Sequence, residues 1–198
     1  MGRIIRLTST FVRPADNTAY TAGDEISNSA TAGSVVRPTF DLSGFTRGRI
    51  LGCAVDITPA SSNLVITALN FDVIFFKTVD VPAAVGDNVT FPITGAQRRL
   101  AVGRFLFDDG GWANPLGAYA ASTSGYQDVP AGLPIPLATP TLYDSYQHAA
   151  CFDFTGGLAN GVSTGTNRQL TAVFQVLAAW TPLGVANTFG IAIDVDAE

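Results

Sequence analysis

The sequence predicts an all-β fold, and three observations support that prediction. Helical periodicity is almost absent from the 198 residues. The apolar segments are short or alternate with a period of two, and Val, Ile, Thr and Phe are frequent in them. Loops that carry Gly, Pro, Asn, Asp and Ser separate about eight of these segments. This arrangement is typical of an antiparallel β-sandwich, which we expect to be jelly-roll-like.

The clearest predicted strand is 63–77, where a one-residue change of phase near Leu69 and Asn70 indicates a β-bulge. Residues 168–180 are compatible with a helix by composition, but their β-branched residues and the Thr-Pro that follows favour a strand. We expect this strand to form a hairpin with 188–196 through the connection TPLGVAN. The other predicted strands are 3–11, 34–40, 47–57, 98–107 and 148–154.

The strand pattern is lost between residues 108 and 146, where Gly, Pro and aromatic residues are frequent. The segment is too long for a simple connector, because structureless loops beyond about 15 residues are uncommon in compact domains. We therefore expect an excursion that packs on the sandwich or on a neighbouring subunit. No composition shift or convincing internal repeat divides the chain, so residues 1–198 are interpreted as one domain.

The composition favours a protein that assembles with others. Hydrophobic residues make up 47% of the chain and charged residues only 14%, against about 25% in typical proteins, so we expect part of the surface to be covered. The net charge of −5 argues against a nucleic-acid partner. The chain has no apolar run of about 18 residues and no signal-peptide pattern, so we expect no membrane partner and synthesis in the cytoplasm.

The chain has one histidine, and its neighbourhood is the first place to look for chemistry. Asp144, His148, Cys151 and Asp153 are close in sequence, but on a strand His148 and Cys151 would project from opposite faces. A nucleophilic pair of His148 with Cys53 is compatible with the spacing, although nothing supports it. We interpret the two cysteines as reduced, buried strand residues, and we predict no metal site.

The glycine-rich stretches do not match a cofactor-binding pattern. DDGG at 108–111 is interpreted as a tight turn, with a cation loop as the alternative, because the remaining oxygen ligands of an EF-hand are missing. The stretch 155–167 has no lysine and lacks the spacing of a phosphate-binding loop. No nucleophile elbow occurs. We therefore expect neither a cofactor nor a catalytic activity.

Aromatic residues in the 108–146 excursion allow a second hypothesis. Exposed aromatic rings on the loops of a β-sandwich can stack on sugar rings, whereas the alternative is that they anchor the excursion or contact another subunit. The residues concerned are Trp112, Tyr119, Tyr126, Tyr143 and Tyr146.

Residues 13–35, RPADNTAYTAGDEISNSATAGSV, contain the most specific pattern in the chain. It resembles the signature RPADTTAYAAGDVVANS of a family of small proteins encoded among the virion genes of tailed phages and prophages. Asn17 stands where Thr is usual, and Glu25 stands where an apolar residue is usual. The matching positions are Arg13, Pro14, Ala15, Asp16, Thr18, Ala19, Tyr20, Gly23, Asp24, Asn28 and Ser29.

Two further stretches resemble the same family more loosely. FDVIFFK, followed by Pro82 and GDNVTFPIT, is similar to a strand and an Asp-Asn-x-x-Phe element, and AAWTPLGVANTFGIAIDVD is similar to a final hairpin. The resemblance implies a β-sandwich capsid decoration (cement) protein on the exterior of a phage head, with the major capsid protein as its partner. Self-association, which we expect as a trimer at a symmetry axis, would cover the weakly charged surface. The alternatives are a tail, baseplate or fibre component and a carbohydrate-binding module on the virion.

The residues of the motif also have structural roles that do not depend on the family. Pro14 would end the first strand, Asp16 and Asn17 would cap a turn, and Gly23 with Asp24 would turn the chain back into the sheet. Tyr20 would bury its ring while its hydroxyl reaches the backbone. The predicted structural loop therefore comprises Arg13, Pro14, Asp16, Tyr20, Gly23 and Asp24.

The candidate contacts to the capsid are exposed basic and aromatic residues. A solvent-exposed edge strand would account equally well for the arginines. The candidates are Arg3, Arg6, Arg98, Arg99, Trp112, Tyr119 and Tyr126, with the rest of the 109–146 excursion.

Overall fold

A computed structural model describes residues 2–59, 69–107, 125–130, 150–154, 168–182 and 184–198. In this part of the chain ten strands form two five-stranded antiparallel sheets. The strands are β1 (Arg3–Arg13), β2 (Glu25–Ile26), β3 (Thr39–Asp41), β4 (Arg47–Pro59), β5 (Phe71–Lys77), β6 (Ala101–Phe107), β7 (Gly125–Pro130), β8 (Cys151–Asp153), β9 (Gln169–Val176) and β10 (Asn187–Ala197). A single-turn helix, α1 (Gly95–Arg98), and two 3₁₀ turns, Ala32–Ser34 and Thr78–Asp80, complete the described elements.

The strand pairing identifies the sandwich as a jelly roll. The β1 sheet has the order β1-β10-β4-β7, with β8 also paired to β4, and the β2 sheet has the order β2-β9-β5-β6, with β3 also paired to β9. Opened out, the chain is one long hairpin whose tip is the β5–β6 pair. β4 then pairs with β7 and β8, β2 and β3 pair with β9, and β1 pairs with β10. Rolling this hairpin into two facing sheets gives the jelly-roll topology, which confirms the predicted fold class.

The core lies between the two sheets and is built from their inward alternating residues. Aromatic rings occupy its centre. Phe11 stacks on Phe189 with ring centroids 5.0 Å apart, and Phe174 meets Phe11 edge-on at 5.1 Å. Stacked and edge-on aromatic pairs stabilise a core beyond the contribution of the apolar surface that they bury.

A second, smaller core covers the outer face of the β2 sheet. Ile74 and Phe76 on β5 pack there with Val173 and with Phe91 from the segment 78–100. β5 is therefore buried on both faces, which accounts for the apolar residues at consecutive positions in FDVIFFK, where Asp72 is the one buried charge. The two sheets therefore differ on their outer faces. The second core covers part of the outer face of the β2 sheet, whereas in the β1 sheet the outward side chains of β1 are exposed along the whole strand.

Most predicted strands are present, with changes at their ends. Strand 3–11 extends to Arg13, whereas 34–40 is reduced to β3. Strand 98–107 begins only at Ala101, because a capping box between Thr94 and Gln97 starts α1 just before it. The 168–180 segment is a strand as far as Val176. The bulge expected near Leu69 adjoins residues outside the described part.

Two expectations were wrong, and a third was incomplete. β9 and β10 do not form a hairpin, because they belong to opposite sheets. The 108–146 excursion packs on the sandwich, as expected, but it does so through a strand, β7, which pairs with β4. Cys151 is exposed on the short strand β8 and not buried, whereas Cys53 is buried, and the two do not form a disulfide. Among the described residues, no helix is long and apolar enough to cross a membrane.

Candidate functional site

The motif loop, residues 14–24, is organised around the buried side chain of Arg13 at the end of β1. Its Nε donates to the Tyr20 hydroxyl at 2.7 Å, and its Nη1 donates to the carbonyl of Pro14 at 2.9 Å. Its Nη2 donates to both the carbonyl and Oδ1 of Asp16, each at 3.0 Å. One guanidinium thus fixes both ends of the turn that follows Pro14. Arginine suits this role because its five donors lie in one rigid plane.

Two neighbouring aromatic rings lie against the guanidinium. Tyr20 and Trp180 lie with their centroids 5.2 Å apart, and the Arg13 Cζ is 5.4 Å from the first centroid and 5.5 Å from the second. The Tyr20 N–H donates to the Trp180 carbonyl at 2.7 Å, and the Trp180 N–H donates to the Tyr20 carbonyl at 3.3 Å. The loop is therefore tied to the β9–β10 connection through backbone bonds and cation–π contacts.

Asp87 completes the cluster from a distant part of the chain. Its Oδ1 accepts from the Ser27 N–H at 2.8 Å, and its Oδ2 lies 3.6 Å from Arg13 Nε. Burial raises the pKa of Asp87 above its ordinary value, although the Ser27 N–H and Arg13 act in the opposite direction. Burial and then the Asp87 carboxylate raise the pKa of Tyr20, so the phenol stays protonated. We call Arg13, Asp16, Tyr20, Asp87 and Trp180 the Arg13 cluster.

The turn at Gly23 and Asp24 brings the chain into β2. Gly23 has φ +98°, a conformation that favours glycine. Asp24 accepts from the N–H and hydroxyl of Thr21 at 2.6 and 2.9 Å, and from the hydroxyl of Thr90 at 2.9 Å. Backbone bonds from Phe91 to Gly23 and from Glu25 to Val89 extend this contact. Residues 87–91 therefore run beside residues 23–25 and are hydrogen-bonded to them at the edge of the β2 sheet.

Glu25, which departs from the family's apolar residue, is fully buried and has a partner of its own. Arg37 donates through Nε to its Oε1 at 2.7 Å and through Nη2 to its Oε2 at 2.9 Å. The guanidinium also lies 4.9 Å from the Phe91 centroid, and the Val85 N–H donates to Oε2 at 3.2 Å. This bidentate pair compensates for the buried charge. We call it the Glu25–Arg37 pair.

The structural-loop residues from the sequence thus lie together, with one difference of detail. The Tyr20 ring is buried, but its hydroxyl meets the side chains of Arg13 and Asp87 and not the backbone. Asp16 caps the turn by accepting from the Thr18 N–H at 3.1 Å. Sequence reasoning did not assign Asp87 or Trp180 to this cluster. The available signal was that both lie in the stretches that resemble the same phage family.

The four candidate arginines form two separate groups. Arg3 and Arg6 are exposed on β1, where Arg6 Nη1 lies 3.9 Å from Asp194 Oδ2. Arg98 and Arg99 are exposed at the end of α1, just before β6. β1 lies beside β3, whereas β6 lies beside β7 and β8. The two groups are therefore on opposite lateral edges of the sandwich.

The aromatic and metal candidates fall largely outside the described residues. Trp112, Tyr119 and His148 lie outside them, and Tyr126 is on β7 opposite Asp56, with its backbone alone described. Within the described ranges no group of three or more His, Cys, Asp or Glu side chains is placed to hold a metal ion.

Comparison with known proteins gives structural likenesses alone. No protein-family model and no curated protein matches the chain. A 60-mer BFDV capsid protein is 13% identical with a TM-score of 0.35, covering 100% of this chain and 94% of that one. A decameric BFDV capsid protein is 10% identical with a TM-score of 0.37 and 100% coverage of both chains. Cocksfoot mottle virus gives 9% identity, a TM-score of 0.28 and coverage of 100% and 95%. At these values the likenesses carry no argument on function, and the jelly-roll assignment stands on the strand pairing.

Proposed function

We propose that this protein is a structural component of a tailed-phage virion, a decoration (cement) protein that binds the exterior of the head. The observation that carries the proposal is the convergence of the three stretches that resemble the phage family. Arg13 and Tyr20 come from the motif, Asp87 from GDNVTFPIT and Trp180 from the C-terminal stretch. Chance resemblances in three separate stretches would have no reason to meet in one buried cluster.

The buried position of the Arg13 cluster assigns it to stability and leaves binding to the surface. The side chains of Arg13, Tyr20, Asp87 and Trp180 are buried, and only that of Asp16 is partly exposed. Contacts to the capsid would then involve the exposed arginines at either lateral edge, or the 109–146 excursion with Trp112, Tyr119 and Tyr126. A protein that binds the assembled shell and not its separated subunits raises the free energy of disassembly by linkage. Self-association would multiply weak contacts across neighbouring capsomers.

The test is co-sedimentation of the purified protein with heads of its parent phage that lack it. We expect saturable binding and a rise in the temperature at which the shells are disrupted. The absence of binding to intact heads would contradict the proposal. Binding to purified tails would then indicate a tail, baseplate or fibre component, and binding on a glycan array would indicate a carbohydrate-binding module.

Two double variants with the same loss of charge locate the contact. Arg98→Ser with Arg99→Ser changes the β6 edge, and Arg3→Ser with Arg6→Ser changes the opposite edge. The edge that faces the shell should lose affinity, while the other variant serves as the matched control. Equal binding of both variants and the wild type would place the contact in the excursion. Thermal unfolding of each variant verifies that the fold is retained.

A further inference from the structure

β1 is a long edge strand. Its eleven residues pair with β10 from end to end without a register shift. In the described part of the chain no strand pairs with its other side. Every second residue of β1 therefore directs an N–H and a C=O away from the sheet, where another strand can bind.

The other described sheet edges are short, bulged or interrupted by proline, whereas the protection of β1 is limited to its arginines. β2 and β3 are two and three residues long, β6 has a register shift against β5, and β7 ends at Pro130. Short strands, bulges and proline are recognised ways of protecting an edge, as are lysines. β1, with the sequence RIIRLTSTFVR, contains neither proline nor lysine.

The outer face of β1 exposes two large apolar side chains near its ends. Ile4 is 70% exposed and Val12 is 51% exposed. They share this face with Arg6, Thr8 and Thr10, because alternate residues of a strand lie on one side. Two such side chains on one edge strand point to a partner that covers both.

We infer that β1 pairs antiparallel with β1 of a second copy, with Thr8 of each chain at the centre. This register uses all eleven residues, because Arg3 then lies opposite Arg13 of the partner copy. It places Ile4 opposite Val12 twice and Arg6 opposite Thr10 twice, so each exposed apolar side chain gains an apolar neighbour. A pair centred on Arg6 would place the two Arg6 side chains opposite each other. A pair centred on Ser9 would leave Ile4 beyond the end of the ladder.

The inner face supports the same register. Ile5 and Leu7 are half-buried against the main core. In the pair centred on Thr8, Ile5 lies opposite Phe11 of the second copy, which continues the apolar layer across the junction, and Leu7 lies opposite Ser9. Pairing of this kind is isologous and consumes both edges, which gives a closed two-fold dimer and no filament. A dimer differs from the trimer expected from the sequence.

The inference goes beyond the proposed function and does not depend on it, because the dimer can be measured without shells. Light scattering after size exclusion should give twice the 20.7 kDa of the single chain. A single-chain mass at every concentration, or a trimer mass, would overturn the inference.

Cysteine cross-linking tests the register. In a Cys151→Ser background, Thr8→Cys should form a disulfide with its copy, because opposite residues lie about 4.5–5.5 Å apart at Cα, within disulfide range. Thr10→Cys is the matched control on the same face. Its two copies would be about 13 Å apart along the ladder and should not cross-link. Cross-linking of both positions to the same extent, or of Thr10→Cys alone, would refute the register.

A charge variant tests the apolar contacts. Ile4→Lys with Val12→Lys places like charges opposite each other and should weaken the dimer by about tenfold or more. Thr58→Lys adds a charge at an exposed position on β4, away from the junction, and should leave the dimer unchanged. Equal dimer stability in the double variant and this control would overturn the inference.

Discussion

The chain buries two arginines, Arg13 and Arg37, in different ways. Arg13 donates to three residues of the loop that follows it, lies against two aromatic rings and is 3.6 Å from a distant carboxylate. Arg37 makes a bidentate pair with one carboxylate, that of Glu25, and also donates through Nη1 to the Pro82 carbonyl at 2.5 Å. The first arginine organises a loop, whereas the second neutralises a buried charge. This difference predicts that replacing Arg13 together with one partner still destabilises the fold strongly. Replacing Arg37 together with Glu25 should cost little more than replacing either residue alone.

The largest effect is expected from Arg13→Met. The change keeps the volume and apolar contact of the side chain, but it leaves the Tyr20 hydroxyl, the Pro14 carbonyl and the Asp16 carboxylate without their buried donor. Breaking a buried charged contact on one side costs about 3–5 kcal/mol of unfolding free energy. Urea denaturation measures this loss. Arg49→Met is the matched control, because Arg49 forms an exposed pair with Asp196 and should cost less than about 1 kcal/mol. Equal losses in the two variants would contradict the organising role of Arg13.

Two changes at Tyr20 separate its ring from its hydroxyl. Tyr20→Ala removes a buried aromatic ring from Trp180 and should cost about 3–5 kcal/mol. Tyr20→Phe keeps the ring but removes the acceptor of Arg13 Nε, and should cost about 1–3 kcal/mol. Chemical denaturation of both variants gives the two values. A loss below about 0.5 kcal/mol in Tyr20→Ala would refute the view that this ring holds the loop.

Double-mutant cycles compare the two arginines directly. Glu25→Gln and Arg37→Met should each destabilise the protein, whereas the double variant should cost little more than one of them. The expected coupling is about 2–3 kcal/mol, near the upper end for contacting charged residues. The cycle of Arg13→Met with Asp87→Asn should give a coupling energy of about 1 kcal/mol or less, because Arg13→Met removes the bonds to the loop whether residue 87 is Asp or Asn. Equal coupling energies in the two cycles would contradict the proposed difference between the roles of Arg13 and Arg37.

The sequence predicts local features of this fold better than its long-range contacts. The alternation of residues 3–11 and 47–57 identifies β1 and β4, because side-chain period alone separates the faces of a strand. The same rule cannot show that β9 and β10 belong to opposite sheets, since both alternate and a short polar connection joins them. β7 was missed within the 108–146 segment because Gly125 and Pro130 at its ends are typical of turns.

The candidate site shows the same limit. Pro14, Gly23 and Asp24 could be placed in turns from their own chemistry. The Tyr20 hydroxyl could not, because its partners are the Arg13 guanidinium and a carboxylate 67 positions away in sequence, Asp87. A buried charge reports that a partner exists, but not which one. Glu25 illustrates this, since nothing near it in the sequence singles out Arg37.

The smallest expected effect is a pH dependence of stability that arises from Asp87 in the Arg13 cluster. Burial raises the pKa of Asp87 in the folded protein above the ordinary value of 3.8, so the folded state holds this proton more tightly than the unfolded chain. The stability contributed by protonation is therefore present below the ordinary pKa and is lost as the pH rises through the folded pKa. Asp87→Asn removes this loss, so its cost relative to wild type should be greater at pH 4 than at pH 7. Urea denaturation across this range measures the difference. Asp72, which is buried beside Arg104 with its pKa also raised by burial, should behave in the same direction in Asp72→Asn. A cost of Asp87→Asn that grows with pH would show that the attraction of Arg13 dominates over burial in setting the pKa of Asp87.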